Sequence, residues 1–388
     1  MTNIIGQVGT QVTLQGASHF LGLAPWSSSQ VSRVWQERFR AELAPIVELA
    51  HRRQQAKQRK QKRQGRRQKT VVTGYLIGDD SVMEKLRGKK MEGLGRHYSS
   101  SAERVVTGHS LVLGLYLLSG RHCPLEPQMY RQRSVCEAES IPFLSKIDLM
   151  VQTIENFIPV KGAQTHVLLD SWYGCKRIWK VCRQLDYLIT TGLRCNRKLR
   201  IDDPESDQGW SWLRLDDYDA ERMADDFIPL SYPSMSGNET VYVHVVSTRI
   251  KKLYRCQLIL IRRSLDGEAR FWASSDLNAS PEALLQHISA RWTIETLFED
   301  TKSRLGLEQY QLISSQAVKR FWTLVLAAYT FLEQHRNRLA LENQQYTSIG
   351  EAKRHLQRTH YCRTLHWLTH IILQHRHLPD VVRDLLVT

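Results

Sequence analysis

Apolar and polar positions along this chain follow two periods, and the places where the period changes outline its elements. Val31, Val34, Trp35, Phe39, Leu43, Ile46 and Leu49 recur at helical spacing behind Ser27–Ser29, which predicts a capped helix over 31–50 with Pro45 as a kink or break. Residues 1–25 are weakly patterned. The run TVVTGYLI at 70–77 reads as a buried strand ending in Gly78-Asp79-Asp80-Ser81. A polar, glycine-containing stretch follows to Arg104. Two more strands, 105–118 and 121–131, are separated by Ser119-Gly120 and so predict a hairpin. Helical periodicity returns over 144–157. A short apolar strand at 165–169 then runs straight into Asp170-Ser171-Trp172-Tyr173-Gly174. A helix over 176–185 and a strand over 187–191 complete this half.

Three strands, a helix, a strand, a helix and a strand is the element order of a ribonuclease H-like core, a mixed α/β sheet flanked by helices. Beyond Cys195 the pattern changes. An acidic stretch bearing Trp210 and Trp212 precedes two strands, 240–248 and 256–263, and reads as a β-rich insertion. Phe271 to Asp276 predicts the strand that returns to the core. Ser280-Pro281 opens a helix that carries on through Glu295. A long amphipathic helix over 316–341 and a histidine-rich tail follow. The expected parts are therefore a helical and basic arm (1–69), the first part of the core (70–195), the insertion (196–270), the second part of the core (271–345) and a C-terminal helical region (346–388).

Charge sharpens this picture. The chain has 54 Lys and Arg against 39 Asp and Glu, a formal charge of +15 over 388 residues. Residues 51–69 hold ten Lys or Arg and no acid. Arg52, Arg53, Arg59, Lys60, Lys62, Arg63, Arg66 and Arg67 in that run predict contact with a polyanion, with DNA or RNA ahead of an anionic membrane because large apolar residues are lacking. No apolar run approaches the ~20 residues of a bilayer crossing, and no secretion signal is expected at the N-terminus. The seven cysteines form no C-x-x-C pair, which suits buried thiols in a reduced, cytoplasmic, nucleoid-associated setting. Cys362, His366 and His370 share one helical stripe, an incomplete zinc set, so a helix facing solvent or DNA is expected there. A G-x-S-x-G elbow, a P-loop and an H-E-x-x-H helix are all missing.

The stretch 289–310, SARWTIETLFEDTKSRLGLEQY, carries the chemistry. Ile294, Leu297, Phe298, Leu305 and Leu307 have helical spacing, and Gly306 can close the helix in a left-handed conformation. Arg291, Glu295, Glu299 and Lys302 then lie along one stripe. The run R-x3-E-x6-K formed by Arg291, Glu295 and Lys302, with Arg291-Trp292, Ile294-Glu295 and Leu305-Gly306-Leu307 around it, resembles the YREK signature of DDE transposases of bacterial insertion sequences, the group typified by insertion sequence four. One position departs from that pattern: the leading tyrosine is Ile288 here.

The resemblance implies a metal-dependent DNA transposase that cuts at element ends and joins the freed 3′-hydroxyl to target DNA. It implies a carboxylate triad of Asp80, Asp170 and Glu295 holding two Mg2+ or Mn2+ ions. Asp80 is taken over Asp79 because the family's first acid precedes Thr or Ser. Arg291 and Lys302 would position phosphates. The resemblance also implies synapsis by a homodimer on double-stranded terminal repeats, and hairpin-ended excision. Trp172, Tyr173, Trp210 and Trp212 are candidates for stacking on an unpaired base. Two other classes remain open: another nuclease of the same core, such as a resolvase, and a domesticated relative that only binds DNA.

Overall fold

The computed structural model describes residues 13–62, 72–86, 88, 90–99, 102–234 and 237–375. Helices α1 (Leu14–Gly22) and α2 (Ser28–Lys62) come first, followed by strands β1 (Thr73–Glu84), β2 (Gly95–Ser99), β3 (Arg104–Leu118), β4 (Arg121–Pro124) and β5 (Gln128–Tyr130). Then come α3 (Arg133–Ala138), α4 (Lys146–Glu155), β6 (Gln164–Leu169), α5 (Lys176–Gln184) and β7 (Leu188–Leu193). A stretch of β8 (Lys198–Asp202), β9 (Trp210–Arg214), α6 (Leu215–Ala220), β10 (Ile228–Ser234), β11 (Gly237–Arg249) and β12 (Arg255–Arg262) leads to β13 (Arg270–Ser274). Four helices follow: α7 (Pro281–Ala290), α8 (Thr293–Leu305), α9 (Ser315–Asn343) and α10 (Ile349–His375). These elements divide into two compact units, one of Gln36–Ser81 and Ser110–Leu297, the other of Val82–His109, Phe298 onward and the residues up to Trp35.

The first of these units is built on a mixed sheet in the order β10-β11-β12-β13-β7-β6-β1-β3, with β4 and β5 also paired to β3. β1 pairs with β6 and β6 with β7 in parallel, while β13 returns antiparallel to β7. Helices sit on both faces of the parallel part, which is why β6, QTHVLL, is buried almost throughout rather than alternating. Trp179 of α5 and Leu76, Ile77, Val167, Leu168 and Leu169 of the central strands are all nearly inaccessible. On the other face Leu284, Leu285 and Ile288 of α7 pack into Val241, Val243 and Ile259 of β11 and β12. A large mixed sheet flanked by helices is what the α/β part of the fold read from the sequence expects.

Several local expectations change. α2 runs unbroken through Pro45 to Lys62. Proline costs one backbone bond there, and burial of Phe39, Leu43 and Val47 on the flanking turns holds the helix together. The hairpin at Ser119-Gly120 forms, both residues having positive φ, but its second strand splits into β4 and β5. Pro124 and Pro127 remove ladder donors at that break. The helix expected to run from Pro281 through Glu295 is two helices, divided at Arg291-Trp292. β2, whose GRHYS lacks aliphatic residues, pairs with the opening of β3 and gives no apolar signal.

In the second unit α9 packs against α1 and α10. Arg320 of α9 donates to the carbonyls of Leu21 (3.0 Å) and Trp26 (2.5 Å), and the buried His109 Nδ1 lies 2.8 Å from Tyr310 Oη. Among the described residues no helix is long and apolar enough to cross a membrane.

Candidate active site

The sheet positions the acids through strand alternation. In β1, Tyr75, Ile77 and Asp79 project to one face, and Gly74, Leu76, Gly78 and Asp80 to the other. Pairing with β6 ends at Gly78↔Leu169, so Asp79 and Asp80 come just past the last parallel rung and Asp170 immediately follows β6. The strand itself continues to Glu84. Asp79 and Asp80 thus stand in mid-strand where the parallel pairing stops, whereas Asp170 stands just past the tip of β6. Their side chains are only partly exposed there.

On the even face Asp80 meets α4. A Cβ on Gly78 would lie 2.5 Å from Met150 Sδ, a measure of how closely this helix approaches. Lys146 Nζ donates to Asp80 Oδ2 at 2.5 Å, and Tyr173 Oη donates to Oδ1 at 3.0 Å. Lys146 is the first residue of α4, aimed by the capping box of Ser145 with Asp148. Lys146 was missed from sequence, although the S-x-x-D word at 145–148 marks the helix start that presents it. Tyr173 is fully buried with its hydroxyl on Asp80, so its ring is not open to stack on a base.

On the odd face β1 meets α7 at two rungs. Tyr75 Oη lies 3.0 Å from His287 Nδ1, and four residues further along both elements Arg291 Nη1 lies 3.5 Å from Asp79 Oδ2. Arg291 caps α7 and is 8% exposed. Its Nη2 donates to Glu295 Oε1 at 2.5 Å, in the first turn of α8. Trp292 and Trp272 stand beside its guanidinium at 5.2 and 5.9 Å. Arg291 therefore connects Asp79 on the sheet to Glu295 on the helix.

Asp170 Oδ1 accepts from the backbone N–H of Trp172 (3.0 Å) and, at 3.4 Å, of Tyr173. Burial pushes its carboxyl up, and the charge of Asp80 adds to this against the pull of those amides and Arg291. Asp79 is pushed further, to about 7, first by burial and then by the charges of Asp170 and Asp80. Asp79, Asp80 and Asp170 thus share one electrostatic neighbourhood, and Glu295 joins it through Arg291. Among the described residues no three His, Cys, Asp or Glu side chains are gathered as a finished metal set. Lys146, Tyr173 and Arg291 engage the carboxylates instead.

The donor chemistry nevertheless fits a hard divalent cation. Every group is a carboxylate oxygen, and Asp79, raised to about 7 first by burial and then by the charges of Asp170 and Asp80, is a buried acid whose charged form Arg291 only partly stabilises. A cleft of about 310 Å3 opens beside the cluster, lined by Asp170, Ser171, Leu193, Arg270, Trp272 and Arg291.

The other sequence candidates are dispersed. Lys302 Nζ is bound to Glu308 Oε1 (2.8 Å) and the carbonyl of Val82 (3.2 Å). Arg52 makes an exposed pair with Glu48 at 2.5 Å on α2, and Arg53 is exposed on the same helix. Arg59, Lys60 and Lys62 belong to α2, with side chains outside the described set, and Arg63, Arg66 and Arg67 lie outside the described residues. Trp172 is 55% exposed beneath Arg194, while Trp210 and Trp212 contact each other edge to face at 5.4 Å. Cys362 and His366 are exposed on α10; the side chain of His370 is outside the described set.

Two known families match parts of this chain. Residues 145–331, which contain Asp170, Arg291, Glu295 and Lys302, match the transposase DDE domain. Residues 1–211, which contain Asp79, Asp80 and Asp170, match the DDE superfamily endonuclease. No curated protein matches the chain. Transposase families act on DNA, and since the second match takes in more than half of the 388 residues, the chain belongs to the DDE superfamily of endonucleases.

Proposed function

We propose that this protein is the transposase of an insertion sequence, of the YREK-bearing group that the Arg291, Glu295 and Lys302 spacing resembles. It cuts double-stranded DNA at the terminal repeats of its element and joins the freed 3′-hydroxyl to target DNA, working as a homodimer. The single observation that carries this reading is the meeting of adjacent parallel strands β1 and β6 at Asp79, Asp80 and Asp170, with Arg291 linking Glu295 to the same place. In this reading β1 to β7 and β13 are a ribonuclease H-like core, and β8 to β12 are an insertion into it.

Asp80, Asp170 and Glu295 would hold two Mg2+ or Mn2+ ions. When bound, such ions make the attacking oxygen nucleophilic and neutralise the leaving one. The chain's own residues prepare for this. The Trp172 and Tyr173 amides orient Asp170, Tyr173 orients Asp80, and Lys146 balances the charge of Asp80. Exposed bases of α2, including Arg52 and Arg53, and the basic run beyond it supply backbone attraction without reading sequence.

The test is nicking of end-containing duplex with Mg2+ or Mn2+. Glu295→Gln and Asp170→Asn are expected to abolish it while leaving duplex binding in place. A Glu295→Gln protein that nicks as fast as its parent sinks the assignment. Cleavage of branched DNA without preference for inverted repeats would point to a resolvase, and binding without any metal-dependent cleavage by the parent to a relative that has lost catalysis.

A further inference from the structure

Arg291 is more tightly held than a phosphate-seeking arginine needs to be. It is 8% exposed, lies between two carboxylates on different elements, stands beside two tryptophans, and keeps a buried Nε with no hydrogen-bond partner. Its two anionic partners are unequal. Glu295 is close, at 2.5 Å, and 39% exposed; Asp79 is at 3.5 Å and 19% exposed on the rigid sheet. A guanidinium offers a planar fork, and an unopposed fork would settle in two parallel bonds on the nearer carboxylate. That arrangement would neutralise Glu295 and use both of its oxygens. Asp79 draws Nη1 away, so that Glu295 meets only Nη2.

We infer that Asp79 is a positioning residue: by holding Arg291 against β1 it fixes the α7–α8 junction and keeps one oxygen of Glu295 free to bind a divalent cation. This rests on the reading of Glu295 as a metal ligand. It also gives the paired acids of the Gly78-Asp79-Asp80-Ser81 word separate tasks, in keeping with their opposite faces on β1: Asp80 toward α4 and Lys146, Asp79 toward α7 and Arg291. Tyr75 with His287 forms the second rung of the same tie, four residues back on each element.

The test uses the full chain as parent, Asp79→Asn, Asp79→Glu and, for comparison, Asp170→Asn. Mn2+ binding without DNA is followed by electron paramagnetic resonance, alongside melting temperature and nicking across a Mn2+ titration. For Asp79→Asn the expected result is an unchanged number of bound ions, weaker Mn2+ affinity, and a half-saturating Mn2+ concentration raised about 10–100-fold, the usual effect of removing an outer partner of a ligand. The melting temperature at pH 8 is not lowered. Asp79→Glu, which restores the charge, recovers most of the affinity. A fall in the number of bound ions, as for Asp170→Asn, would make Asp79 a ligand and overturn the inference. So would an Asp79→Asn protein with the parent's metal dependence, or one whose lost activity follows lost stability. Failure of the parent itself to bind Mn2+ or nick would strike the proposed function, an outcome distinct from any of these.

Discussion

Asparagine in place of Asp79 should make the metal-free protein more stable at alkaline pH. The carboxyl is raised from 3.8 to about 7 by burial and by Asp170 and Asp80. At about 1.4 kcal/mol for each tenfold change in proton affinity, that is a penalty of roughly 4 kcal/mol on the charged form. The sign follows from linkage. An acid raised in the folded state binds protons there that the unfolded chain releases, so its contribution is intact below pH 3.8 and lost progressively until about pH 7. Asparagine carries no such penalty but also gives up the ion pair with Arg291, so about half, roughly 2 kcal/mol, is the expected net gain above pH 7.5. For a unit of this size that is a rise of about 4–8 °C in melting temperature.

Differential scanning fluorimetry of parent and variant between pH 5 and 8.5 in chelator reads this directly. His166 and His287, both held below their ordinary value by burial, contribute with the opposite sign, gaining stability as pH rises through 6.5. They are common to both proteins and cancel in the difference. The gap should open with rising pH, and it should narrow when Mn2+ is added, because the cation relieves the same repulsion in the parent. A gap that does not vary with pH, or a variant less stable than the parent at pH 8, would refute the claim that the cluster carries uncompensated charge.

Leu43→Ala in α2, at a fully buried position, is expected to cost about 2–5 kcal/mol and lower the melting temperature accordingly. Gly78→Ala would drive a methyl to 2.5 Å from Met150 Sδ and 2.6 Å from Leu169 Cδ2. About 1–3 kcal/mol of overpacking strain should follow, with nicking reduced more than stability because the neighbouring residue is Asp79. Tyr173→Phe removes the hydroxyl from Asp80 and should weaken Mn2+ binding while leaving the circular dichroism spectrum unchanged. Duplex affinity should fall steeply between roughly 50 and 200 mM salt, and substituting Arg52 and Arg53 by Gln should flatten that slope.

The apolar patterns that define the sheet were legible because helices cover both faces of its parallel part. β6 reads as an unbroken buried run for that reason, and β3 is buried over most of its length as well. What stayed hidden depended on tertiary packing. β2 has glycine, arginine and histidine where an apolar signal would be needed, and its His97 is buried by pairing, not by hydropathy. The continuity of α2 through Pro45 depends on Leu43 and Val47 finding a core. The break at Arg291-Trp292 leaves Arg291 and Glu295 in i,i+4 contact, so the shared stripe read from spacing brings these two together although two helices, not one, carry them. Asp170 was legible from a short word that strand geometry places well. The separate surroundings of Asp79 and Asp80 were not, because neighbouring residues in a strand differ by face, and which helix covers which face is settled by the whole chain.

Ile288 bears on a different question from the carboxylates. The resemblance would put a tyrosine there, yet the residue is 3% exposed and packed among Val241, Val243, Ile259, Leu284 and Leu285. Position 288 therefore serves the joint between α7 and β11 and β12, with no polar group to offer a phosphate. Three residues later the same helix ends in Arg291, held by Asp79 and Glu295. One face of α7 thus anchors to the apolar strands while its C-terminus anchors to charge. The substitution leaves the frame around the acids intact, since an isoleucine fills that apolar cluster without burying a hydroxyl. Just past the end of α7, Trp292 is 42% exposed beside the guanidinium of Arg291 and presents the aromatic surface that position 288 does not.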